Sequence, residues 1–355
     1  MDLNQLRQQI DDLDAQLLRL LNQRMDVVKK VGELKRANKS IIYRPEREKY
    51  IIDRLVRLND GLLNRAAIEA IFLEIFAVAR NIELPERIAF LGPEGSFTHQ
   101  AAESRFGAMS EYISLPSIGS VFESVDTERV RFGVVPIENN REGIVFETID
   151  LLFELDLKIV AELPLAIHHT FVTKAEKLSD ITRIYSKDIA FRQCAKFLGE
   201  YFQNQPVELV PVESTSKAAR IAAGEPTSAA ICSHIAAKLF EVPVLFSNIE
   251  DSDSNRTRFL IISKDFKNER SGNDKTTIVA KLGDTPGSLA RFLQLFDEKS
   301  INLTKIESRP LRGGEQFRSW FYIDFEGYID DPGVQEIMET YRGQVRWAGS
   351  YTKLT

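Results

Sequence analysis

Three cations on one predicted helix are the first residues that could do chemistry. From Leu3 the apolar positions recur alternately every three and four residues, a heptad pattern in which Arg24 occupies a core position. Arg7 and Lys35 flank the same apolar stripe. A buried guanidinium costs on the order of several kcal/mol unless anions or acceptors satisfy it. A pocket formed by these cations would suit a small dicarboxylate.

Further charged residues lie near this pocket in the predicted helices. Arg47 and Glu48 come at the start of a second helix and could close the pocket, and Glu83 ends the apolar stripe of a third. Ordinary structural roles explain the same residues. Arg24 could set the register of paired helices, Glu48 could be a favourable first-turn acid, and Glu83 could be a helix-end carboxylate. Periodicity leaves both interpretations open.

Three helices must position these side chains. The pattern predicts a helix over about 3–36, a second from Pro45 to about Asn59, and a third capped by Asn64. The first would be on the order of 50 Å long, too long to be covered by the other two. We therefore expect an all-helical domain over residues 1–85 that dimerises by pairing its long helices.

The stretch LRQQIDDLDAQLLRLLNQRMDVVKKVGELK, followed by YRPEREKYI, resembles the all-helical chorismate mutase domain. The resemblance implies an entwined dimer that rearranges chorismate to prephenate, a pericyclic step that needs a held conformation and electrostatic complementarity but no cofactor or metal. It also implies that Arg7 of the partner subunit and Arg24 hold the two carboxylates. Lys35 would donate to the ether oxygen, and Arg47 and Glu48 would orient the ring hydroxyl.

Two positions depart from the usual pattern of that family. Glu83 stands where some members carry Gln, and a carboxyl group can donate to the ether oxygen only when it is protonated. We therefore expect mutase activity to fall as the pH rises. Arg44 lies where some relatives have an acid near the substrate hydroxyl, and we include it among the substrate-binding residues.

After Pro85, short apolar runs alternate with helical segments, which predicts an α/β domain over residues 86–264. The turn GPEGSFT allows close backbone approach to a ligand at a helix start. Glu138 and Asn139 follow a buried strand, at the edge where open α/β sheets bind ligands. Taken singly, helix caps and strand-exit turns explain most of these positions.

Five motifs in order resemble prephenate dehydratase over residues 87–263: GPEGSFT, VVPIEN, YSxxxAxxQC, ESTSxAA and NIEDxxxNxTRFL. The resemblance implies two lobes like those of a periplasmic binding protein, a site in their cleft, and loss of water and CO2 from prephenate to give phenylpyruvate. Thr257 would hydrogen-bond the leaving hydroxyl. Asn140 replaces the Ser or Thr usual after Glu-Asn. The implied substrate-binding residues are Glu138, Asn139, Ser186, Gln193, Ser214, Thr215, Arg258 and Phe259.

Residues 265–274 lack periodicity and predict a linker, and residues 275–355 have a βαββαβ pattern typical of a ferredoxin-like α+β domain. Thr285 and Pro286 suit the N-cap and first turn of its first helix. DTPGSLARFLQLF and INLTKIESRP resemble the ACT regulatory domain, in which these segments bind phenylalanine between subunits. The implied phenylalanine site contains Gly287, Ser288, Leu289, Glu307, Ser308 and Arg309.

The composition of the chain limits the kinds of partner and cofactor that we expect. The 355 residues are 43% hydrophobic and 28% charged, with a net charge of -6, so we expect neither nucleic acid nor membrane as a partner. The two cysteines and four histidines show no metal-ligand spacing, and we expect no metal and no cofactor. The polar N-terminus and the lack of a long apolar stretch predict a cytoplasmic protein without a leader or a membrane span.

Together these patterns predict a multidomain, bifunctional enzyme of phenylalanine biosynthesis. It would be both an isomerase and a lyase, inhibited by L-phenylalanine and assembled as a homodimer or a higher homo-oligomer. Two other hypotheses remain. The chain could be a non-catalytic two-lobed sensor on a helical dimerisation arm, or a dehydratase whose mutase domain only dimerises.

Overall fold

The computed structural model describes residues 2–37, 43–203, 205–311 and 319–353. The chain divides into two compact units. The first runs to Glu86 and also includes Arg105–Glu111, and the second contains Arg87–Ser104 and everything from Tyr112 onward. No helix in the described ranges is both long and apolar enough to cross a membrane.

Three long helices build the first unit, which confirms the prediction of an all-helical N-terminal domain. They are α1 (Leu3–Ala37), α2 (Pro45–Leu58) and α3 (Arg65–Glu83). Pro45 stands in the first turn of α2, where its fixed φ suits the helix. Asn64 caps α3, since its side chain accepts a hydrogen bond from the Ala67 backbone N–H at 2.9 Å.

The apolar stripe of α1 lies exposed in the single chain. Its exposed members are Leu3, Leu6, Ile10, Leu13, Leu17, Leu20, Val27, Val31 and Leu34. An apolar face of this length is unusual on the surface of a protein that works alone, because burying it would be favourable.

Two sheets and their helices form the α/β part of the second unit. The strands are β1 (Arg87–Leu91), β2 (Glu111–Leu115), β3 (Phe132–Asn139), β4 (Gly143–Ile144), β5 (Lys158–Ala166), β6 (Thr170–Thr173), β7 (Arg183–Ser186), β8 (Glu208–Pro211), β9 (Ser228–Cys232), β10 (Val244–Ser247) and β11 (Arg256–Ser263). The helices are α4 (Phe97–Phe106), α5 (Ile118–Asp126), α6 (Phe146–Glu154), α7 (Asp188–Gln193), α8 (Ala195–Phe202), α9 (Thr215–Gly224) and α10 (His234–Leu239).

The strand orders show two lobes. The first sheet runs β2-β1-β3-β11-β5, with β4 beside β3, and the second runs β10-β6-β9-β7-β8. The chain leaves the first sheet after β5, builds the second, and returns through β11, which lies antiparallel between β3 and β5. This return places Thr257 directly opposite Asn139. The predicted two-lobed fold is confirmed.

A third, four-stranded sheet confirms the predicted βαββαβ domain. Its elements are β12 (Asp274–Ala280), α11 (Ser288–Glu298), β13 (Leu303–Pro310), β14 (Ser319–Glu326), α12 (Pro332–Thr340) and β15 (Val345–Thr352). The strand order is β13-β14-β12-β15, all neighbours being antiparallel. Both helices pack on one core, in which Phe292, Phe296 and Phe325 are buried.

The start of α11 differs from the prediction. Gly287 occupies the N-cap with φ of 81°, a left-handed conformation that glycine adopts readily. The helix therefore begins at Ser288 rather than at Pro286. Thr285 does not cap it, and its hydroxyl instead lies 2.6 Å from the Ser288 hydroxyl.

The third sheet packs on the first lobe. Phe153 of α6 stacks on Trp320 of β14 with ring centres 4.3 Å apart. Asn268, in the segment predicted as a linker, is buried, and its Nδ2 donates to the carbonyls of Val160 and Ser350 at 2.8 Å each. These contacts fix the segment between the sheet strands β5 and β15.

Candidate active sites

Arg24, Lys35 and Glu83 meet where α1 packs on α3. Lys35 Nζ lies 2.8 Å from Glu83 Oε2. The Arg24 guanidinium lies 5.7 Å from the centre of the Phe76 ring. Gly32 permits this approach of the helices, because a Cβ atom there would lie 3.1 Å from the Glu83 side chain. The structure thus brings together three of the predicted mutase residues within one chain.

One nitrogen of the Arg24 guanidinium has no acceptor among the described residues. Its Nη1 is buried and has no hydrogen-bond partner among the described residues. Burial lowers the pKa of Arg24, and the charge of Glu83 opposes this shift. An arginine keeps its charge at physiological pH in spite of such a shift. An anionic ligand would therefore stabilise this position.

Glu48 lies in a buried ion cluster. Arg80 Nη1 forms a short ion pair with Glu48 Oε1, and Arg105 Nη2 lies 3.1 Å from Oε2. Arg105 Nε donates to the Tyr43 hydroxyl at 2.5 Å, and Arg80 Nη2 donates to the Arg105 carbonyl at 2.8 Å. Two guanidinium groups therefore fix the orientation of the carboxylate. Sequence reasoning missed Arg80 and Arg105, although Arg80 lies one turn before Glu83 on the predicted third helix.

The other predicted mutase residues are Arg7, Arg44 and Arg47. Arg47 is exposed, and its guanidinium lies over the ring of Tyr50. Arg44 Nη1 is 3.5 Å from a carboxylate oxygen of a neighbouring glutamate. Arg7 is exposed near the start of α1, about 25 Å from Arg24 along the helix. One chain does not bring Arg7 to the cluster.

A cavity of about 440 Å³ lies between the two lobes of the α/β part. Its lining includes five of the predicted dehydratase residues, namely Asn139, Gln193, Ser214, Thr215 and Thr257. It also includes Ser96 of the GPEGSFT turn, and His169 and Lys187, which sequence reasoning did not single out.

Thr257 is held by Asn139 at the cavity wall. Asn139 Nδ2 donates to Thr257 Oγ1 at 2.8 Å and to Asn255 Oδ1 at 2.9 Å. Asn139 Oδ1 accepts the backbone N–H groups of Arg141 and Glu142, both at 2.9 Å. These bonds fix the amide orientation, so Thr257 Oγ1 is an acceptor toward Asn139. Its own O–H proton can therefore be donated to a ligand.

Asn140 secures the same loop. Its Nδ2 donates to the Ser254 carbonyl at 2.5 Å, and its Oδ1 accepts the Arg256 backbone N–H at 3.0 Å. The amide thus ties the exit of β3 to the entrance of β11. A Ser or Thr side chain at this position would be too short to span both groups in the same way.

His169 is a buried histidine in the cavity wall. Its Nε2 lies 2.9 Å from Gln193 Oε1, and its backbone N–H donates to Glu250. Since Oε1 is an acceptor, Nε2 carries the proton, and Nδ1, which is buried without a partner among the described residues, is left as an acceptor. Burial lowers the pKa of His169 and outweighs the opposing effect of the hydrogen bond that Nε2 donates to Gln193, so the ring is neutral near pH 7.

Helix starts give the cavity a preference for anions. Ser214 caps α9, and its Oγ accepts the Lys217 backbone N–H at 3.0 Å. Ser96 precedes α4 and accepts the His99 backbone N–H at 3.2 Å. The N–H groups at such helix starts carry partial positive charge and favour carboxylates or phosphates. The ammonium group of Lys187 adds a full positive charge to the same wall.

Four predicted dehydratase residues do not line the cavity. Ser186 is fully buried and donates to the Ile231 carbonyl at 2.7 Å, and Phe259 is in the core. Glu138 and Arg258 pair with each other at 2.8 Å on the opposite face of the first sheet. For Glu138 and Arg258 the physical reason is the alternation of side chains along a strand. Where Asn139 and Thr257 face the cavity, their strand neighbours face away from it.

The predicted phenylalanine residues lie on two elements of the third sheet. Gly287, Ser288 and Leu289 are at the start of α11, and Glu307, Ser308 and Arg309 are on the edge strand β13. Ser308 is exposed. Arg309 forms a two-point ion pair with Asp150 of α6, at 2.8 and 2.7 Å, and its guanidinium lies 4.2 Å from the ring of Phe146.

Neither cysteine is suited to nucleophilic catalysis. Burial raises the pKa of the Cys194 and Cys232 thiols to about 12, so both are protonated near neutral pH. Among the residues with described positions, no group of three or more His, Cys, Asp and Glu side chains is arranged to hold a metal ion.

Comparison with known proteins gives matches along nearly the whole chain. The family model for chorismate mutase type II matches residues 6–84, that for prephenate dehydratase residues 88–267, and that for the ACT domain residues 276–343. The bifunctional chorismate mutase/prephenate dehydratase of Aquifex aeolicus is 36% identical over 363 residues, covering 99% of this chain and 98% of that protein. The Pseudomonas aeruginosa protein of the same name is 37% identical over 360 residues, with the same coverage.

A solved structure is similar to three quarters of this chain. The prephenate dehydratase of Arthrobacter aurescens, crystallised in complex with L-Phe, is 33% identical with a TM-score of 0.66. The match covers 75% of this chain and 90% of that one.

Proposed function

Because the chain belongs to the bifunctional chorismate mutase/prephenate dehydratase family, we propose that its helical unit and its cleft catalyse two consecutive steps of phenylalanine biosynthesis. The first step rearranges chorismate to prephenate, and the second converts prephenate to phenylpyruvate, CO2 and water. L-phenylalanine inhibits the enzyme through the ACT domain. The observation that carries this conclusion is full-length similarity, with all three domains in the same order. It favours the bifunctional enzyme over the sensor and over a dehydratase with an inactive mutase domain.

In the helical unit we assign the substrate to the cluster of Arg24, Lys35 and Glu83. A chorismate carboxylate would supply the acceptor that Arg24 Nη1 lacks. Lys35 would donate to the ether oxygen, whose negative charge grows as the C–O bond breaks. Glu48, held by its two arginines, would accept from the ring hydroxyl. The reaction needs no nucleophile, so fixed charges are sufficient.

The mutase site is completed by a second subunit in this proposal. Arg7 lies about 25 Å from Arg24 in the same chain, and the apolar stripe of α1 is exposed beside both. Pairing of two long helices in opposite directions would cover the stripe and bring Arg7 of the partner subunit toward Arg24. The proposed assembly is therefore a homodimer or a higher oligomer built on it.

In the cleft we assign prephenate to the cavity that contains Thr257. Prephenate carries two carboxylates, which suit the starts of α4 and α9 and the ammonium group of Lys187. As the ring carboxylate leaves as CO2, its bonding electrons enter the ring and expel the hydroxyl as hydroxide, which takes a proton from the solvent to become water. Thr257 would donate a hydrogen bond to that hydroxyl and stabilise its developing negative charge. Neutral His169 would accept a hydrogen bond through Nδ1 and help to position the substrate.

The regulatory site and location complete the proposal. Gly287, Ser288 and Leu289, with Glu307 to Arg309, would bind phenylalanine, and inhibition follows if the effector binds the less active state more tightly. We place the enzyme in a reducing cytoplasm, which suits two buried cysteines that form no disulfide.

A time course from chorismate tests both activities in one experiment. Purified protein is incubated near neutral pH, and chorismate, prephenate and phenylpyruvate are separated by chromatography. We expect phenylpyruvate to accumulate well above the spontaneous, acid-promoted background. Accumulation of prephenate alone would mean that the dehydratase is inactive. Persistence of chorismate, with added prephenate still consumed, would mean that the helical unit only dimerises.

A further inference from the structure

Six charged side chains lie behind the dehydratase cavity, between the first sheet and the third. Three come from the first lobe, namely Glu138 of β3, Glu162 of β5 and Arg258 of β11. The other three come from the third sheet, namely Lys275 of β12, Lys305 of β13 and Asp324 of β14. Each sheet thus contributes half of a cluster with no net formal charge.

Glu138 is held from both sides. Arg258 Nη2 lies 2.8 Å from Glu138 Oε2, and Lys305 Nζ lies 2.7 Å from Oε1. Burial raises the pKa of Glu138, but the hydrogen bond from Lys305 and the charge of Arg258 outweigh this effect, and the pKa lies below its usual value. The carboxylate is therefore ionised and has one cation on each oxygen.

The rest of the cluster fixes Arg258 in place. Arg258 Nη1 lies 3.0 Å from Glu162 and 3.3 Å from Asp324, which is fully buried. Lys275 Nζ bridges the same two carboxylates at 2.7 and 3.0 Å. Removing one partner of a buried ion pair leaves an uncompensated charge. The cluster therefore holds the two sheets in one relative arrangement.

The cluster connects directly to the cavity residues. Glu138 immediately precedes Asn139, whose Nδ2 donates to Thr257 Oγ1 at 2.8 Å. Arg258 immediately follows Thr257. Each residue that faces the cavity therefore has a sequence neighbour that faces the third sheet. A shift of Glu138 moves the backbone that carries Asn139.

We propose that Lys305, a residue of the ACT domain, is a positioning residue of the dehydratase. This proposal rests on the assignment of Thr257 and Asn139 to the dehydratase site. Lys305 does not touch the substrate. It holds Glu138, and through Glu138 it keeps Asn139 and Thr257 at the separation that aims the threonine hydroxyl.

The same strand carries the proposed phenylalanine residues. Lys305, Glu307 and Arg309 alternate with exposed residues and share one face of β13. Arg309 forms an ion pair with Asp150 of the first lobe, and Lys305 forms one with Glu138, so β13 contacts that lobe at two points. A ligand bound at Ser308 would act on a strand whose other face holds Glu138 through Lys305, which connects the proposed phenylalanine site to Asn139 and Thr257.

Lys305→Met in the full-length enzyme tests the proposal, with Lys305→Arg as the rescue variant. We expect the dehydratase kcat to fall about tenfold, less than the roughly 10²-fold loss that a misplacement of about 1 Å causes, while KM for prephenate changes less than twofold. Lys305→Arg should recover most of the loss. The mutase activity of the same protein is the internal reference. Lys299→Met is the matched control, since Lys299 pairs with Glu336 inside the ACT domain.

The outcomes separate this proposal from the site assignment. Wild-type dehydratase activity in Thr257→Val would contradict the assignment of the dehydratase site. If Thr257→Val loses activity while Lys305→Met keeps the wild-type kcat and KM, the positioning role is overturned and the site stands. A parallel fall of both enzymatic activities with a lowered Tm would also overturn it, because Lys305 would then be a general structural contact.

Discussion

The helical unit and the cleft differ in how much of each site a single chain supplies. In the cleft, Asn139, Gln193 and Thr257 line one cavity, and hydrogen bonds from the same chain hold them. In the helical unit, Arg24 keeps a buried Nη1 without an acceptor among the described residues, and Arg7 lies about 25 Å away. Under the proposed assignments, one chain supplies every named residue of the cleft site but only part of the mutase site.

The two proposed reactions make different demands on their sites. A pericyclic rearrangement needs fixed charges around a compact substrate, and charges act over distances that a subunit interface can bridge. Expulsion of a hydroxyl needs a donor aimed within hydrogen-bond distance, and a bonded network inside one fold provides that aim. Four experiments test this contrast, from the largest expected effect to the smallest.

Thr257→Val gives the largest effect. Valine keeps the shape of threonine but has no O–H, so the dehydratase kcat should fall by roughly 10² to 10³, the loss seen when one donor to a developing oxyanion is removed. Mutase activity should stay at the wild-type level. Thr127→Val is the control, because Thr127 is exposed at the end of α5. A dehydratase rate within a few-fold of wild type would show that Thr257 is not the donor.

The next largest effect is expected on mutase activity in mixed dimers of two variants. Arg7→Ala and Arg24→Ala should each lower mutase kcat/KM by about 10² or more, since each removes a charged contact to a carboxylate. Co-expressing the two variants should restore about a quarter of the wild-type activity, because half of randomly paired dimers are mixed and each mixed dimer has one intact site.

The cleft should not complement in this way. A mixture of Thr257→Val and Gln193→Ala chains should keep the low dehydratase activity of the separate variants, since every cleft contains residues of one chain. Recovery of dehydratase activity in this second mixture would contradict the proposed contrast between the two sites. So would a lack of recovery of mutase activity in the first mixture.

Glu83→Gln should change the pH dependence of the mutase. A carboxyl group donates to the ether oxygen only when protonated, whereas an amide donates at any pH and leaves Lys35 without a carboxylate partner at 2.8 Å. We expect a several-fold gain in kcat/KM at alkaline pH and a flatter profile. The exposed Glu33 provides the control variant, Glu33→Gln. Superimposable profiles for the Glu83 variant and wild type would contradict the donor role.

His169 gives the smallest effect, on stability. Burial lowers the pKa of His169 in the folded state, so the unfolded state binds more protons once the pH falls below about 6.5. Stability should therefore decrease as the pH falls through 6.5 toward the folded pKa, and the pH dependence of Tm should be shallower in His169→Gln. His99, whose pKa burial also lowers, stays in both proteins. An identical pH dependence in the variant would mean that His169 does not contribute.

Local patterns predicted the elements well, because helix periodicity, caps and strand alternation act over a few residues. The helices of the first unit and the βαββαβ sheet follow from such patterns, whereas the two lobes were implied by the resemblance to prephenate dehydratase. The start of α11 was wrong because a left-handed Gly287 outweighs the capping preference of Thr285.

The site was less predictable where it depends on distant contacts. His169 has no motif, and only the return of β11 to the first sheet creates the cavity that it lines. The pairing of Glu48 with Arg105 joins residues far apart in sequence. Arg258 faces away from the cavity because its strand neighbour Thr257 faces the cavity. The alternation of side chains along a strand predicts this orientation only once it is known which face of the sheet lines the cavity.

The segment Arg105–Glu111 has a consequence for dividing this protein into parts. It comes after β1 in the chain, yet it clusters with the three N-terminal helices and supplies the arginine that fixes Glu48. A fragment cut at residue 86 would lose one of the two cations on that carboxylate and the donor to Tyr43. Residues 1–86 alone therefore lack part of the buried interior of the helical unit. The boundary of this unit in the fold does not coincide with a single cut in the sequence.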